Sequence, residues 1–304
     1  MQTSRRQPDG PAARARFVNR DGYYVQGQPP YAARAFVEER DAALAPYAPT
    51  GFVLLDNRQA LGTEWPATTP LMLARYARVR RGEWLRGSFR ASGEIYHVLA
   101  GSGTSRNGPC QVDWRAGDVF CFDGGEETVH LAGHEDALLW SVTDEPLLSF
   151  LGLAPARAFA RAAAPLHFGA GPIAEALAAA QHKEDAKGDA SNGNAAFIFS
   201  SEDGTARRCL PLPSLMLALN SLAPGKAQRP HRHNAAALTL VLDGERCHSV
   251  IDGVRHEWEP HTAIITPAGQ MHTHCNEGER LARVLIAQDS GMHYYLRSSG
   301  FSYD

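Results

Sequence analysis

Cysteine is scarce in this 304-residue chain, and what there is does not pair. Cys110, Cys121, Cys209, Cys247 and Cys275 are an odd number with no repeated spacing, which argues against a disulfide framework and for reduced thiols. Charge of one sign is also lacking. Thirty Lys and Arg stand against 33 Asp and Glu, a formal net charge of −3. That leaves no basic footprint for nucleic acid or an anionic membrane surface. No apolar run reaches the roughly 18 residues a membrane span needs, and no signal peptide is legible. Residues 1–16 are instead rich in Arg and Gln and read as a frayed arm. We therefore expect a cytoplasmic protein with neither nucleic-acid nor membrane partners.

Histidine, glycine and proline carry the signal. The run from Gly225 to His233 ends in His231-Arg-His233, and Pro267-Ala-Gly-Gln-Met-His272-Thr-His274-Cys-Asn276 follows about forty residues later. Residues at i and i+2 of a strand share a face, so His231 and His233 point the same way. His272, on a returning strand behind a Pro-x-Gly turn, completes a facial set of three nitrogens. Imidazole suits zinc, copper, iron and nickel, and three donors leave positions open for substrate. Cys275, beside these ligands, reads as a small buried hydrophobe.

The segment from Gly225 through His231 and His233 to Gly244 is similar to the first cupin motif, and Pro267-x-Gly269-x2-His272-x3-Asn276 to the second. Most cupins carry a glutamate four residues after the second histidine; here that residue is Ala237. In this respect the run resembles gentisate and salicylate 1,2-dioxygenases, two-cupin enzymes whose iron site also lacks the glutamate. An earlier stretch repeats the spacing: Gly82 to Gly101 and Gly225 to Gly244 are both nineteen apart, and the segment around Trp114 resembles that around Trp258. Two copies offset by about 143 residues imply two barrels. In the first copy the ligand positions are Ser88 and Arg90, Glu94 is retained, and the third position falls near Thr128 or His130. Serine and a permanently charged guanidinium cannot replace two imidazoles, so this barrel is expected to hold no metal, with His97 and His130 as the only conceivable substitutes. The gentisate-type enzymes usually carry iron in the N-terminal copy; here the order is reversed.

The expected fold is thus all-β with a few helices: two tandem jelly-roll barrels of the cupin type, the C-terminal one metal-bearing. Short apolar segments at 71–79, 95–99, 137–142, 238–242, 263–266 and 282–287, bounded by turn residues, read as strands. Residues 34–45 and 172–182 read as helices, and the polar stretch 183–194 as a mobile loop. The divisions are an N-terminal arm and helix (1–60), a metal-free barrel (61–155), a helical linker and loop (156–195), and a metal-binding barrel (196–304).

The resemblance implies an Fe(II)-dependent dioxygenase that cleaves the aromatic ring of a salicylate- or gentisate-like or an aminophenol-like substrate with O2. Three neutral ligands leave the metal its full charge, which favours an anionic chelating substrate. Carried over from the family, His274 contacts substrate and handles a proton. The family arginine six residues after the second ligand is Thr239 here, so another cation must hold the substrate; Arg78, Arg80 and Arg283 are the candidates. Asn234 and Gln270 are expected to contact the pocket, and Gln288, Tyr294 and Tyr295 are candidates for its mouth. His248, His256, His261 and His293 are assigned no metal. Two other readings stay open. One is a Mn, Zn or Ni cupin acting as lyase, decarboxylase or isomerase; the other is a non-catalytic bicupin that binds a small molecule. The resemblance also implies a homodimer or homotetramer.

Overall fold

The computed structural model describes residues 15, 17–21, 30–155, 165–191, 193–202, 210–298 and 300–303. Most of the arm read at residues 1–16, and Cys209, lie outside these. The chain divides into a short unit, 1–31, and a large one, 32–304, that contains both barrels. No helix among the described residues is long and apolar enough to cross a membrane.

Helix α1 (Val37–Leu44) precedes β1 (Gly51–Leu54) and α2 (Arg58–Leu61). The first barrel continues through β2 (Leu73–Val79), β3 (Trp84–Ser88), β4 (Gly93–Ala100), β5 (Ser102–Asn107), β6 (Cys110–Arg115), β7 (Val119–Asp123), β8 (Glu127–Ala132) and β9 (Ala137–Thr143). Helix α3 (Glu145–Leu151), β10 (Leu166–Phe168) and α4 (Ala170–Asp185) lead into β11 (Asn194–Ile198). The second barrel then runs through β12 (Met216–Leu222), β13 (His231–His233), β14 (Ala237–Asp243), β15 (Cys247–Ile251), β16 (Val254–Glu257), β17 (Ala263–Thr266), β18 (His272–Asn276) and β19 (Ala282–Gln288). It closes with α5 (Gly291–Leu296) and β20 (Phe301–Tyr303).

In the first barrel the sheets run β1-β2-β9-β4-β7-β10 and β3-β8-β5-β6; in the second, β11-β12-β19-β14-β17 and β16-β15-β18-β13-β20. Alternation decides what faces inward. Ala77, Val79, Tyr96, Val98, Trp114, Phe120 and Leu139 fill the first barrel, and Ala237, Val241, Trp258, Ile264, Val284 and Ile286 the second. Pairing at His231↔His272 and Ser249↔His274 brings the second barrel's histidines to one end of its interior.

The two barrels exchange arms. Ala35 bridges Ile264, with Phe36 N donating to Ala263 O (2.9 Å) and Ile265 N to Arg34 O (2.9 Å). A segment that precedes the first barrel thus extends a sheet of the second. The helix expected over 34–45 therefore begins only at Val37, because residues 34–36 are held extended. In return Ser214, ahead of β12, donates to Asp144 Oδ2 at 2.7 Å. Tyr76 Oη adds a bond to His261 O at 2.5 Å.

The loop expected at 183–194 is largely ordered. Helix α4 runs on to Asp185 and a 3-10 turn spans Gly188–Ala190. Buried Glu184 explains this: it takes Lys187 Nζ at 2.5 Å and Ser191 Oγ at 2.9 Å, so the polar residues close on the helix end.

Candidate metal centre

His231, His233 and His272 converge. One ligand nitrogen from each lies within 4.8 Å of the other two. Ring centroids are 4.2 Å apart for His231 and His272 and 4.8 Å for His233 and His272. Each ring is oriented by its own backbone neighbourhood. His231 Nδ1 meets Arg229 O at 2.9 Å, His233 Nδ1 meets Ala235 O at 2.7 Å, and His272 Nδ1 meets Gln270 O at 3.0 Å. A carbonyl only accepts, so each Nδ1 carries the proton and each Nε2 keeps its lone pair. Carbonyl-anchored, Nε2-directed imidazoles are the usual outer support of a metal site. Burial lowers all three pKa values, that of His272 to about 3, so the rings are neutral at physiological pH, as metal binding requires. The donor set fits a divalent transition metal.

The Pro-x-Gly turn has a specific duty here. Gly269 adopts φ +78° and its N–H donates to His233 O at 2.7 Å. The turn that introduces one ligand is thereby tied to the backbone of another, in a conformation glycine adopts at least cost.

Ala237 leaves open the place where a fourth, anionic ligand would stand. It pairs with Gln288 across β14 and β19, and the Gln288 amide lies 3.2 Å from His233 Nε2. The neighbour of the metal position is therefore neutral. Thr239 occupies the same inner face, 1% exposed.

His274 is 4% exposed and its ring centroid lies 5.8 Å from that of His272. Trp258 Nε1 donates to Ser249 Oγ (2.8 Å), and Ser249 Oγ meets His274 Nδ1 (2.8 Å). The indole fills one acceptor lone pair of the serine, and among the described residues His274 Nδ1 is the acceptor in reach of the hydroxyl proton; donated there, that proton leaves His274's own hydrogen on Nε2. Burial first, then the neighbouring histidines, lowers its pKa well below the ordinary value.

The first barrel keeps this relay without the ligands. Trp114 Nε1 donates to Ser105 Oγ (2.7 Å), which meets His130 Nδ1 (2.6 Å). Positions 105, 114 and 130 match 249, 258 and 274 at a constant offset of 144. Thr128 then corresponds to His272, and its hydroxyl donates to Glu94 Oε2 at 2.7 Å, beside the Tyr96 hydroxyl at 2.5 Å. His97 and His130 are buried and neutral, lowered by burial to about 4 and about 3. Among the described residues only the second barrel gathers three such ligands.

The three candidate arginines are not brought to the triad. Arg78 points away from the first barrel's core, pairing with Asp136 at 2.8 Å and with Ala43 O at 3.1 Å. Arg80 is exposed at the turn after β2, its N–H on Thr50 Oγ1. Arg283 lies on the outer face of β19, Nε to Asp243 Oδ2 at 2.7 Å, because strand alternation turns Val284 and Ile286 inward. Asn234 serves as a clamp, its Nδ2 donating to Ser298 O at 2.5 Å and its N–H to Gly300 O at 3.1 Å. Gln270 adjoins the site through its carbonyl, and its Oε1 is buried with no protein partner among the described residues. Tyr294 and Tyr295 are exposed on α5. Sequence reasoning missed Ser249, and also Arg229, Phe301 and Tyr303, which stand around His231. The repeat that pairs Trp114 with Trp258 carried the signal for Ser249; nothing in local pattern marked the others.

Comparisons with known proteins agree with this geometry. Residues 218–287 match the cupin domain family. The chain is 33% identical over 93 residues to 5-aminosalicylate 1,2-dioxygenase from Comamonas sp, 31% of this chain and 25% of that one. It is 28% identical over 86 residues to gentisate 1,2-dioxygenase from Ralstonia sp, 28% and 24% of the two chains. It thus spans about a quarter of the length of the curated relatives it matches. In fold the similarity extends much further. Salicylate 1,2-dioxygenase from Pseudoaminobacter salicylatoxidans superposes with a TM-score of 0.73 at 13% identity, covering 94% of this chain and 89% of that one. Oxalate decarboxylase from Bacillus subtilis superposes with a TM-score of 0.55 at 13% identity, over 79% and 72%. Residues 218–287 thus match the cupin domain family, and the chain as a whole has the two-barrel fold of salicylate 1,2-dioxygenase.

Proposed function

We propose that the protein is a ring-cleaving dioxygenase whose second barrel holds Fe(II) on His231, His233 and His272 and opens an aromatic acid with O2. The observation that carries this reading is the set of three carbonyl-anchored imidazoles, a cluster that among the described residues includes no carboxylate. The partial sequence match to aminosalicylate and gentisate dioxygenases supports it. Bound iron would supply adjacent open positions for substrate and dioxygen.

The chain's own residues do the rest. A site with three neutral ligands welcomes a substrate that brings its own negative charge, as a salicylate-like carboxylate and phenol do. Gln288 and Ala237 keep the space beside His233 uncharged, so no protein anion competes for that place. His274, neutral and with hydrogen on Nε2, is set to donate a hydrogen bond to a substrate oxygen. That bond holds the ring in register and gives a proton a place to move. In the overall reaction both oxygen atoms enter the product. Dioxygen takes up the four electrons released as the carbon–carbon bond breaks, so no further reductant is needed.

The test is anaerobic loading with Fe(II), followed by oxygen uptake with salicylate, gentisate, 5-aminosalicylate and 2-aminophenol. We expect uptake with one O2 per ring opened for at least one of the four. Absence of uptake from an iron-loaded protein across the panel refutes the reading.

A further inference from the structure

Strand β13 carries two of the three histidines yet is only three residues long. It pairs with β18 at a single position, His231↔His272, but with β20 at all three: His231↔Tyr303, Arg232↔Ser302 and His233↔Phe301. Residues directly opposite in an antiparallel pair project to the same face. Phe301 and Tyr303 therefore point the way the metal-facing histidines point. The Phe301 ring lies nearly parallel to His231, 4.9 Å between centroids and 25° between planes, and 6.5 Å from His233. The Nε2 lone pair lies in the plane of the imidazole, so a ring stacked on its face leaves that lone pair unobstructed.

Exposure separates these aromatics from the ligands. Phe301 and Tyr303 are 57% and 53% exposed, whereas His233 and His272 are 8% and 3% exposed and His231, between the two groups, is half-buried. Two rings thus run from the histidines out to solvent on the inner face of the sheet. The Arg229 guanidinium lies 4.8 Å over the Tyr303 ring, which sets positive charge beside them. Asn234, directly after His233, holds the approach to β20 through Ser298 and Gly300. Purely scaffolding side chains would be expected to bury such rings; these are left half open beside the metal position.

We propose that Phe301 and Tyr303 form one wall of the substrate slot and select a flat aromatic ring, with Arg229 drawing the substrate's carboxylate to the mouth. The proposal rests on the reading of this site as acting on an aromatic acid. A ring entering between solvent and metal meets an aromatic face, for which offset stacking gives selectivity beyond simple burial. Arg229 supplies the cation that Arg78, Arg80 and Arg283 do not bring to the site.

The test uses the full chain loaded with Co(II), whose visible absorption reports occupancy of the open positions. Salicylate and azide are titrated into the parent protein and into Phe301→Ala, Tyr303→Ala and Phe301→Leu. Leucine keeps apolar packing on His231 without a flat ring, so it decides the matter if an alanine variant fails to hold cobalt. Expected is an about fivefold weaker salicylate Kd in each variant, azide binding within about twofold of the parent, and parent-like salicylate binding in Phe301→Tyr. Arg229→Gln should weaken salicylate but leave phenol unchanged. Unchanged salicylate affinity in Phe301→Leu and Tyr303→Ala overturns the wall. So does equal weakening of azide and salicylate, which would make β20 a support only. If the parent binds azide but neither salicylate, gentisate nor 5-aminosalicylate, the aromatic-acid reading itself fails and the wall with it.

Discussion

Among single residues, the sharpest distinction is between those placed to hold a metal and those that orient a side chain beside them. His233→Ala removes a donor from a site with only three, and metal content measured by plasma mass spectrometry should fall from about one per chain to near zero. A parent-like stoichiometry in that variant would place the metal elsewhere. Ser249→Ala acts differently. It leaves the triad intact but removes the hydroxyl between Trp258 and His274, freeing the imidazole to change tautomer. Metal content should be retained while kcat for the best ring substrate falls roughly tenfold, less than the about 100-fold or more that a positioned proton donor or acceptor itself contributes because the imidazole stays in place, with Ser249→Thr recovering most of it. Histidines at i and i+2 announce themselves in a sequence because strand alternation converts spacing into direction. Ser249 and Trp258 do not, for their meaning lies in a contact between β15, β18 and the residue just after β16. The arginines failed as candidates for the same reason: a cation's sequence position says which face of a strand it occupies only once the inner face is known.

At the level of elements, strands bounded by turn residues were legible nearly to the residue. The segment read at 263–266 is β17, and that read at 282–287 is β19 with one residue added. Ends that depend on distant partners were not. Helix α1 starts late because residues 34–36 belong to the second barrel's sheet, and α4 overruns because Glu184 is satisfied by residues beyond the helix. Strand β20 was invisible, since Phe-Ser-Tyr, although it follows Ser-Ser-Gly, is too short for alternation to mark it as a strand. The Pro267–Gly269 turn is an element whose geometry can be tested directly. Alanine at 269 has open space around its Cβ, so only the left-handed φ is unfavourable. That strain is about 1 kcal/mol, and relieving it would pull the Gly269 N–H from His233 O. Gly269→Ala should lower Tm by a few degrees and weaken Co(II) binding, measured by competition with a chelator, more than a comparable substitution at exposed Gly253 does. Equal effects at the two sites would mean the turn does not support the ligand.

For the whole molecule, the duplication yields one barrel that keeps the ligands and one that keeps only the scaffold, locked together by exchanged arms. Phe36, fully buried, is part of the arm that reaches the second barrel; Phe36→Ala should cost about 3–5 kcal/mol and lower a single shared calorimetric transition rather than detach one of two. The first barrel leaves its own mark on stability. Glu94 sits where a cupin ligand would sit, fully buried, and burial raises its pKa to about 7 despite the Tyr96 and Thr128 hydroxyls and nearby Arg75. An unfolded glutamate titrates near its ordinary value of 4.5. Between these limits the folded protein binds the extra proton, so this group's contribution is fully present below about pH 4.5 and is lost as pH rises through about 7. The buried histidines act in the opposite sense, since their lowered pKa values favour the folded state increasingly as pH rises toward 6.5. The difference between a variant and its parent isolates the carboxyl. Glu94→Gln, which keeps an acceptor for Tyr96 and Thr128 but cannot ionise, should match the parent near pH 4.5 and exceed it above pH 7 by on the order of 2 kcal/mol. Urea denaturation at pH 5, 6, 7 and 8 measures this, and parallel curves for the two proteins would show that Glu94 does not titrate in this range.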